Sequence, residues 1–584
     1  SAGNTITTNG VSIGSSITIS SNGGSYTLGS NLTMNTASYA NGIFTMTKGT
    51  FNTGNYNMTL TIFSSSNSNT RSITLGTSTI TLARWVMTTT TNLTFSGASS
   101  TINQTVITSG SDDFNGGGLT YGTVSLNPAN GTMTVAGGNT FSTLSVVART
   151  GVGTSYIQFG ANQTITTLTL NAPTLATRRT MLRSDTYGTQ RTLTVTTITA
   201  TVTDYDFRDI VISSATLSGT RIGNGTNCSG ITFTGAKTVY WNKAAGGNWT
   251  DSDAWAATSG GATANTNFPL MQDTATIENT GLNASATITI DSNVNIGTIN
   301  ASGRTTAMSL AQPGLYAVYG DYTLGSGCTL SGAANSVTAA GSNNQTFTSG
   351  SSSFTRPLIC DKPVSGTLTL AAGFTTSDNI TLTTGTLTAA GNTTTTQLSS
   401  NNSNTRTLNM GSGTWTLTGT GTLWNITATN LTFNVSTANI VLSDTSTTAR
   451  TFAGAGLTYN KLTIGGATGI STLTITGSNT FTELASTKTV AHTILFTNST
   501  TQTFTSGFTV SGTAGNVVTI GSTGATQVTL KKPGAWYVGA NSTDGGNNSG
   551  LYFTSGGGID YLSVSYINGV NTTAANGLLF GSNF

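Results

Sequence analysis

Apolar and polar residues alternate along most of this chain. In Thr472–Gly477, "TLTITG", Leu473 and Ile475 fall on one face of an extended strand, with Thr472 and Thr474 on the other. Thr132–Gly137, "TMTVAG", does the same with Met133 and Val135. A period of two is the pattern of a strand that buries one face. The run Thr192–Phe207, "TLTVTTITATVTDYDF", reads as two strands in tandem, and Gly, Asn and Ser clusters such as "NGGG" at Asn115 punctuate the pattern. Helical periodicity is almost absent, and the only glutamates are Glu278 and Glu483. The expectation is an all-β chain.

The alternation is written twice. "SSSNSNTR" at Ser64–Arg71 returns as "SSNNSNTR" at Ser399–Arg406. "NLTF" at Asn92 returns at Asn430, "GLTY" at Gly118 returns at Gly456, and "TMTVAGGNTFSTL" from Thr132 returns as "TLTITGSNTFTEL" from Thr472. "ATRRTMLR" at Ala176 has its echo in "ATQVTLKK" at Ala525. The offset drifts in order from 335 (406 − 71) to 349 (525 − 176), which marks one long duplication with small insertions. Shorter echoes sit inside it, as in "NQTVITSG" at Asn103, "NNQTFTSG" at Asn343 and "TQTFTSG" at Thr501. Nested repeats of short strands suit a solenoid, in which each coil buries its inner face against the next. The predicted fold is therefore a β-helix or β-solenoid of two tandem modules, residues 1–237 and 238–584, the second opening with a Trp-rich segment at 239–277. In that architecture "SNTR" marks a coil corner, where Arg71 and Arg406 bind carbonyls across a turn; the alternative is a pair of anion sites. The two arginines should show similar exposure, and Leu75 and Leu408 should both lie in inward aliphatic rows.

Composition sharpens this picture. Only 7% of the 584 residues are charged, and 21 Lys and Arg against 18 Asp and Glu leave a net charge of +3. That balance carries no nucleic-acid footprint. Cys228, Cys328 and Cys360 are odd in number and form no CxxC pair, so neither a disulfide framework nor a zinc site is expected. No apolar run approaches the length of a membrane helix, and no phosphate-binding glycine motif joins a strand to a helix. No cofactor, no metal and no membrane insertion are expected.

Candidate chemistry is sparse. His492, the only histidine, lies in a strand pattern without the partners of a triad. Three acidic pairs, Asp112 with Asp113, Asp204 with Asp206 and Asp251 with Asp253, are the candidates for the two carboxylates of a glycosidase. Each adjoins a turn, where Asp also closes Asx-turns. Trp241, Trp249 and Trp255, and further on Trp536 with Tyr537, are candidates for stacking on glycan rings. For the first three the favoured reading is a hydrophobic cap over an open coil. The loop Asn541–Gly550 offers one carboxylate, Asp544, fewer than a calcium loop uses.

"DYDFRDI" at Asp204–Ile210, the "YWN…GGNW…W…FP…D" segment from Tyr240, "WYVGANSTDGGNNSG" at Trp536–Gly550 and the repeated "SSxNSNTR", "GLTY" and "GxNTF" phrases resemble long repetitive structural proteins of marine tailed bacteriophages, including cyanophages. The resemblance covers most of the chain from about Tyr26. It implies a non-catalytic virion protein of the tail-fibre, spike or appendage type, serving assembly and host-surface attachment. Its partners would be other virion proteins, host-surface glycans and further copies of the chain, a trimer by analogy with phage fibres. A bacterial surface adhesin or filament subunit, and a polysaccharide depolymerase, are the alternatives.

Overall fold

In a computed structural model the chain folds as a β-solenoid of about 22 turns, with 53% of residues in strands and 1% in helix. The described residues are 3–105, 113–128, 131–199, 201–314, 316–332, 335–350, 353–443, 445–466, 472–532, 537–538, 541–553, 566–567 and 570–571. The single 3-10 turn among them is Asn265–Asn267. Two compact units divide the chain, residues 1–335 with 340–343 and residues 336–339 with 344–584.

In the first unit parallel pairings climb from Asn4–Ile6 to Gly223–Asn224, each strand bonded to its counterpart one coil on. Arg71 lies opposite Leu93 and Thr79 opposite Thr101, so a coil here takes 22 residues. The alternation then becomes a stack of rows. Met58, Ile80, Ile102, Val124, Leu144 and Leu168 follow one another in register and all are buried. Each such side chain contributes about 1.5–3 kcal/mol by leaving water. Slipping a strand by one residue would turn its row outward, so the core itself fixes the register. Aromatic rings stack in the same way. Phe63, Trp85 and Phe114 lie nearly parallel, with centroids 4.6 and 6.4 Å apart.

The duplication is preserved down to single hydrogen bonds. Trp85 Nε1 donates to the Tyr121 hydroxyl at 3.0 Å, which donates to the Gly116 carbonyl at 2.7 Å. In the second unit Trp424, Tyr459 and Gly454 repeat this at 3.0 and 2.9 Å. Asn139 donates to Gln163 at 3.0 Å inside one copy, and Asn479 to Gln502 at 3.2 Å inside the other. The twin segments from Thr132 and Thr472 give the same pair of strands, Thr132–Ala136 and Thr140–Val146 against Thr472–Thr476 and Thr480–Ser486.

As the sequence predicts, Leu75 and Leu408 are both buried in aliphatic rows, though they occupy different rows of their copies. Counting from Arg71 and Arg406, the partner of Leu408 is Ile73 and that of Leu75 is Met410. Inward rows recur every second residue, so matching apolar type alone leaves a two-residue ambiguity.

A new ladder begins at Thr238–Trp241, which pairs with Thr274–Thr276. Residues 238–335 nevertheless belong to the first compact unit. Met181, Met271, Tyr319 and Ala340 form a small buried cluster there, with Tyr156 and Tyr187 packed against it. Tyr156 Oη reaches Asn295 at 3.5 Å, and Gln272 Nε2 donates to the carbonyls of Ile222 and Thr234.

Candidate functional site

Charge is scarce in this chain, so its densest cluster is the first place to look for chemistry. That cluster is built by "DYDFRDI". The strand Tyr205–Arg208 buries all four of its residues. Tyr205 and Phe207 enter the core of the first stack. Asp206 and Arg208 point the other way, and both are buried as well. Arg179, one coil earlier, grips Asp206 through Nη2 at 2.6 Å and Asp204 through Nη1 at 3.1 Å. Arg221, one coil later, reaches Asp204 through Nε at 2.7 Å and also through Nη2. Burial pulls the Arg179 guanidinium down, but Asp206 and Asp204 outweigh it and hold it above its ordinary value. The result is a cross-tie over three coils, with each carboxylate held by a cation.

Tyrosines complete the cluster. Arg208 lies over the Tyr187 ring at 3.9 Å and binds Asp209 at 3.1 Å; Arg183 lies over Tyr156 at 4.2 Å. Burial pulls Arg208 down, yet Tyr319, Tyr187 and Asp209 raise it further than burial lowers it. Burial pushes the Tyr156 phenol up to about 12, so it stays protonated across the physiological range. Asp204 and Asp206 are each 0% exposed. A glycosidase pair must reach the sugar from two sides, and these carboxylates face arginines instead. Asp204 and Asp206 are therefore a structural cross-tie and not the proposed catalytic pair.

The other acidic candidates are also engaged. Asp251 and Asp253 share the Lys243 ammonium at 3.0 and 2.8 Å. Asp113 accepts the Thr134 amide at 3.0 Å, and Asp112 lies outside the described residues. His492 sits between Ser486 Oγ and the Val490 carbonyl, each at 2.8 Å, and burial lowers its pKa. Asp544 accepts from the Gly546 amide at 2.8 Å and from Asn548 Nδ2 at 2.6 Å, closing its own loop. None of the three cysteines is in a disulfide, and among the described residues no group of three His, Cys, Asp or Glu side chains could hold a metal. Among the described residues no helix is long and apolar enough to cross a membrane.

The tryptophans correct the glycan expectation. Trp241, Trp249 and Trp255 are all buried, at most 1% exposed. Trp255 meets Trp249 at 4.7 Å and Trp241 at 5.4 Å, both edge to face. Their rings occupy one another's faces and leave none for a sugar. The strand Trp255–Ala256 doubles back antiparallel on Tyr240–Trp241, which closes the first coil of this ladder. Trp536 lies outside the described residues. Of Tyr537 only the backbone is described, in a short strand paired with Tyr552–Phe553.

The corner arginines were legible in sequence as carbonyl binders, and the geometry bears that reading out. Arg71 and Arg406 begin the strands Arg71–Thr74 and Arg406–Asn409 and are 2% and 1% exposed. Arg71 donates to Ser65 Oγ and to the carbonyls of Ser65, Asn69, Thr89 and Thr91, at 2.6–3.0 Å. Arg406 repeats this with Ser400 Oγ and the carbonyls of Ser400, Asn404, Thr427 and Thr429, at 2.5–2.9 Å. A guanidinium has five N–H donors, and all five are used on the protein. A groove of about 320 Å³ beside Arg71, lined also by Asn22, Lys48 and Thr70, therefore finds no free guanidinium donor there, and the anion-site alternative falls. One coil before each arginine stands a glycine with positive φ, Gly49 at 97° and Gly385 at 79°. A side chain at either position would meet backbone oxygens within 3.0 Å.

In comparisons with known proteins, no family model, no curated protein and no solved structure matches this chain.

Proposed function

We propose that the protein is a non-catalytic structural component of a bacteriophage virion, in a tail-fibre or spike-type appendage that serves assembly and host-surface attachment. The observation that carries this reading is the fate of the charged groups. The best-placed carboxylates and guanidiniums are spent tying neighbouring coils together, at Arg71, Arg406 and the Arg179–Asp204–Asp206–Arg221 network. A solenoid braced in this way serves as a rigid spacer and display surface. The resemblance of its repeated phrases to those of phage structural proteins supports the virion setting. Homo-oligomerisation, as a trimer, belongs to the same proposal, because coil edges that end without a partner strand favour pairing with further chains.

The test is location. Peptides of this chain should appear in mass spectra of purified virions, and antibodies against it should label the tail or its appendages. Labelling of the bacterial surface, with none on particles, would replace the reading with the adhesin. Release of reducing sugar from host envelope glycans by the purified chain would replace it with the depolymerase. Sedimentation of the purified protein as a monomer would remove the trimer.

A further inference from the structure

The outward side chains of one ladder in the first copy form two unbroken columns. Thr79, Thr101, Thr123, Thr143, Thr167 and Thr197 stand in direct register. Beside them run Thr81, Asn103, Ser125, Ser145, Thr169 and Thr199. Strand geometry places successive rows about 4.7–4.9 Å apart and the two columns roughly 6.6 Å apart. Thr is β-branched and stiff at χ1, so each methyl and hydroxyl is held in place. Within the array Thr169 bonds Thr199 at 2.6 Å and Ser145 accepts from Asn171. Among the described residues the hydroxyls of Thr79, Thr81, Thr101, Thr123, Thr143 and Thr167 take no protein partner. No position in either column is charged or aromatic.

The second copy provides an internal control. Its equivalent columns read Thr414, Asn439, Lys461, Glu483 and Gly507 beside Thr416, Val441, Thr463, Ala485 and Thr509. An ion pair, Lys461 to Glu483 at 2.9 Å, stands where the first copy has Thr123 and Thr143. The same fold therefore tolerates charge and aliphatic residues at these positions. Solenoid stability does not explain why the first copy keeps a hydroxyl or amide at all of them.

We infer that this face binds ice. A single hydroxyl gains little from a partner, because water competes for the bond. A rigid array places all its groups at once, so a partner with its own matching repeat gains at every row without ordering each side chain anew. Charge complementarity favours an uncharged partner for an uncharged face. The row spacing is close to an oxygen repeat of hexagonal ice, and the methyls flanking each hydroxyl suit the open channels of that lattice. A crystalline glycan would be the other periodic partner, but the face has no ring to stack on sugars. The inference does not depend on which particle or cell carries the appendage.

The test transplants the control. In the full chain, Thr123→Lys with Thr143→Glu installs the ion pair that the second copy already holds in the same fold, and circular dichroism and the melting curve check that the fold is retained. The wild type should suppress ice recrystallisation and separate the freezing point from the melting point, and the double variant should lose both effects. A wild type no better than a globular control protein at equal concentration would overturn the inference, as would a folded variant equal to the wild type. Retention on microcrystalline chitin or cellulose that the variant loses, with no effect on ice, would overturn it in favour of a glycan lattice.

Discussion

Replacing Arg71 or Arg406 by Met keeps the length of the side chain and removes the five donors that grip each corner. At Arg71 the carbonyls of Asn69, Thr89 and Thr91 are bonded in part-buried surroundings, and water can take them over. The Ser65 carbonyl is bonded in buried surroundings and would be stranded, whereas the Ser65 hydroxyl keeps its bond to the Met46 carbonyl, as Ser400 does to Leu382. One stranded acceptor costs about 1–3 kcal/mol, offset in part because a guanidinium no longer has to be desolvated. The net loss should be about 2 kcal/mol in each copy. A long solenoid need not unfold as one unit, so a single melting temperature would blur the effect. Hydrogen exchange reads it locally. Amides of Arg71–Leu75 and of Arg406–Met410 should each exchange roughly thirty-fold faster in the matching variant. Lys in place of Arg has no planar fork and at most three donors, and should restore less than half of the protection. A change below about three-fold, or a loss confined to one copy, would refute the argument that the corners are energetically equivalent.

Three further outcomes follow from the second ladder and its cap. Burial lowers the His492 pKa from 6.5, so the folded state gives up its proton more readily than the unfolded chain. Exchange protection around His492–Phe496 should then be full above the unfolded value and fall as pH drops below it, a dependence that His492→Gln removes. Burial pushes the Lys362 amine down to about 8 from 10.5. Stability of its coil should rise with pH between those values, and Lys362→Met should flatten that rise in pH-dependent exchange. Trp255→Ala empties the centre of the Trp cluster and should cost about 3–5 kcal/mol, seen as faster exchange in Thr238–Trp241 while the strands from Thr458 onward are unchanged.

How much of this could be read from the sequence depended on the kind of signal. Alternation in "TLTITG" and "TMTVAG" specified strands, and the ordered offsets between the copies specified equivalent coils. The arginine of "SNTR" was legible as a carbonyl binder because it stood at a repeated corner. Asp204 and Asp206 were harder. Their spacing of two suggests one face of a single strand, but Asp204 is a bend with φ 62° ahead of the strand Tyr205–Arg208, and what covers the pair is set by Arg179 and Arg221 on neighbouring coils. The spacings of 25 and 27 residues from Arg179 to the two aspartates are close to one coil, and reading the charges at that period would have revealed the cross-tie. The Trp cluster left a cap and a glycan platform side by side, with the cap favoured, because sequence shows that rings are close together and not which way they face. The Thr columns were hidden by their abundance. Only the register separates a column of hydroxyls from the general background of Thr.

The corner arginines also bear on how such a chain responds to force. A stack pulled from one end peels a coil at a time, and each coil of 22 residues releases roughly 75 Å of slack. Most coils part by opening a short row of backbone bonds. At Arg71 the side chain holds Ser65 and Asn69 on its own coil and Thr89 and Thr91 on the next, so the two must be torn apart together. Peeling would advance smoothly along the plain coils, halt at an arginine corner, and resume only at higher load. The corners act as rip-stops, confining damage at a frayed end to the coils outside them.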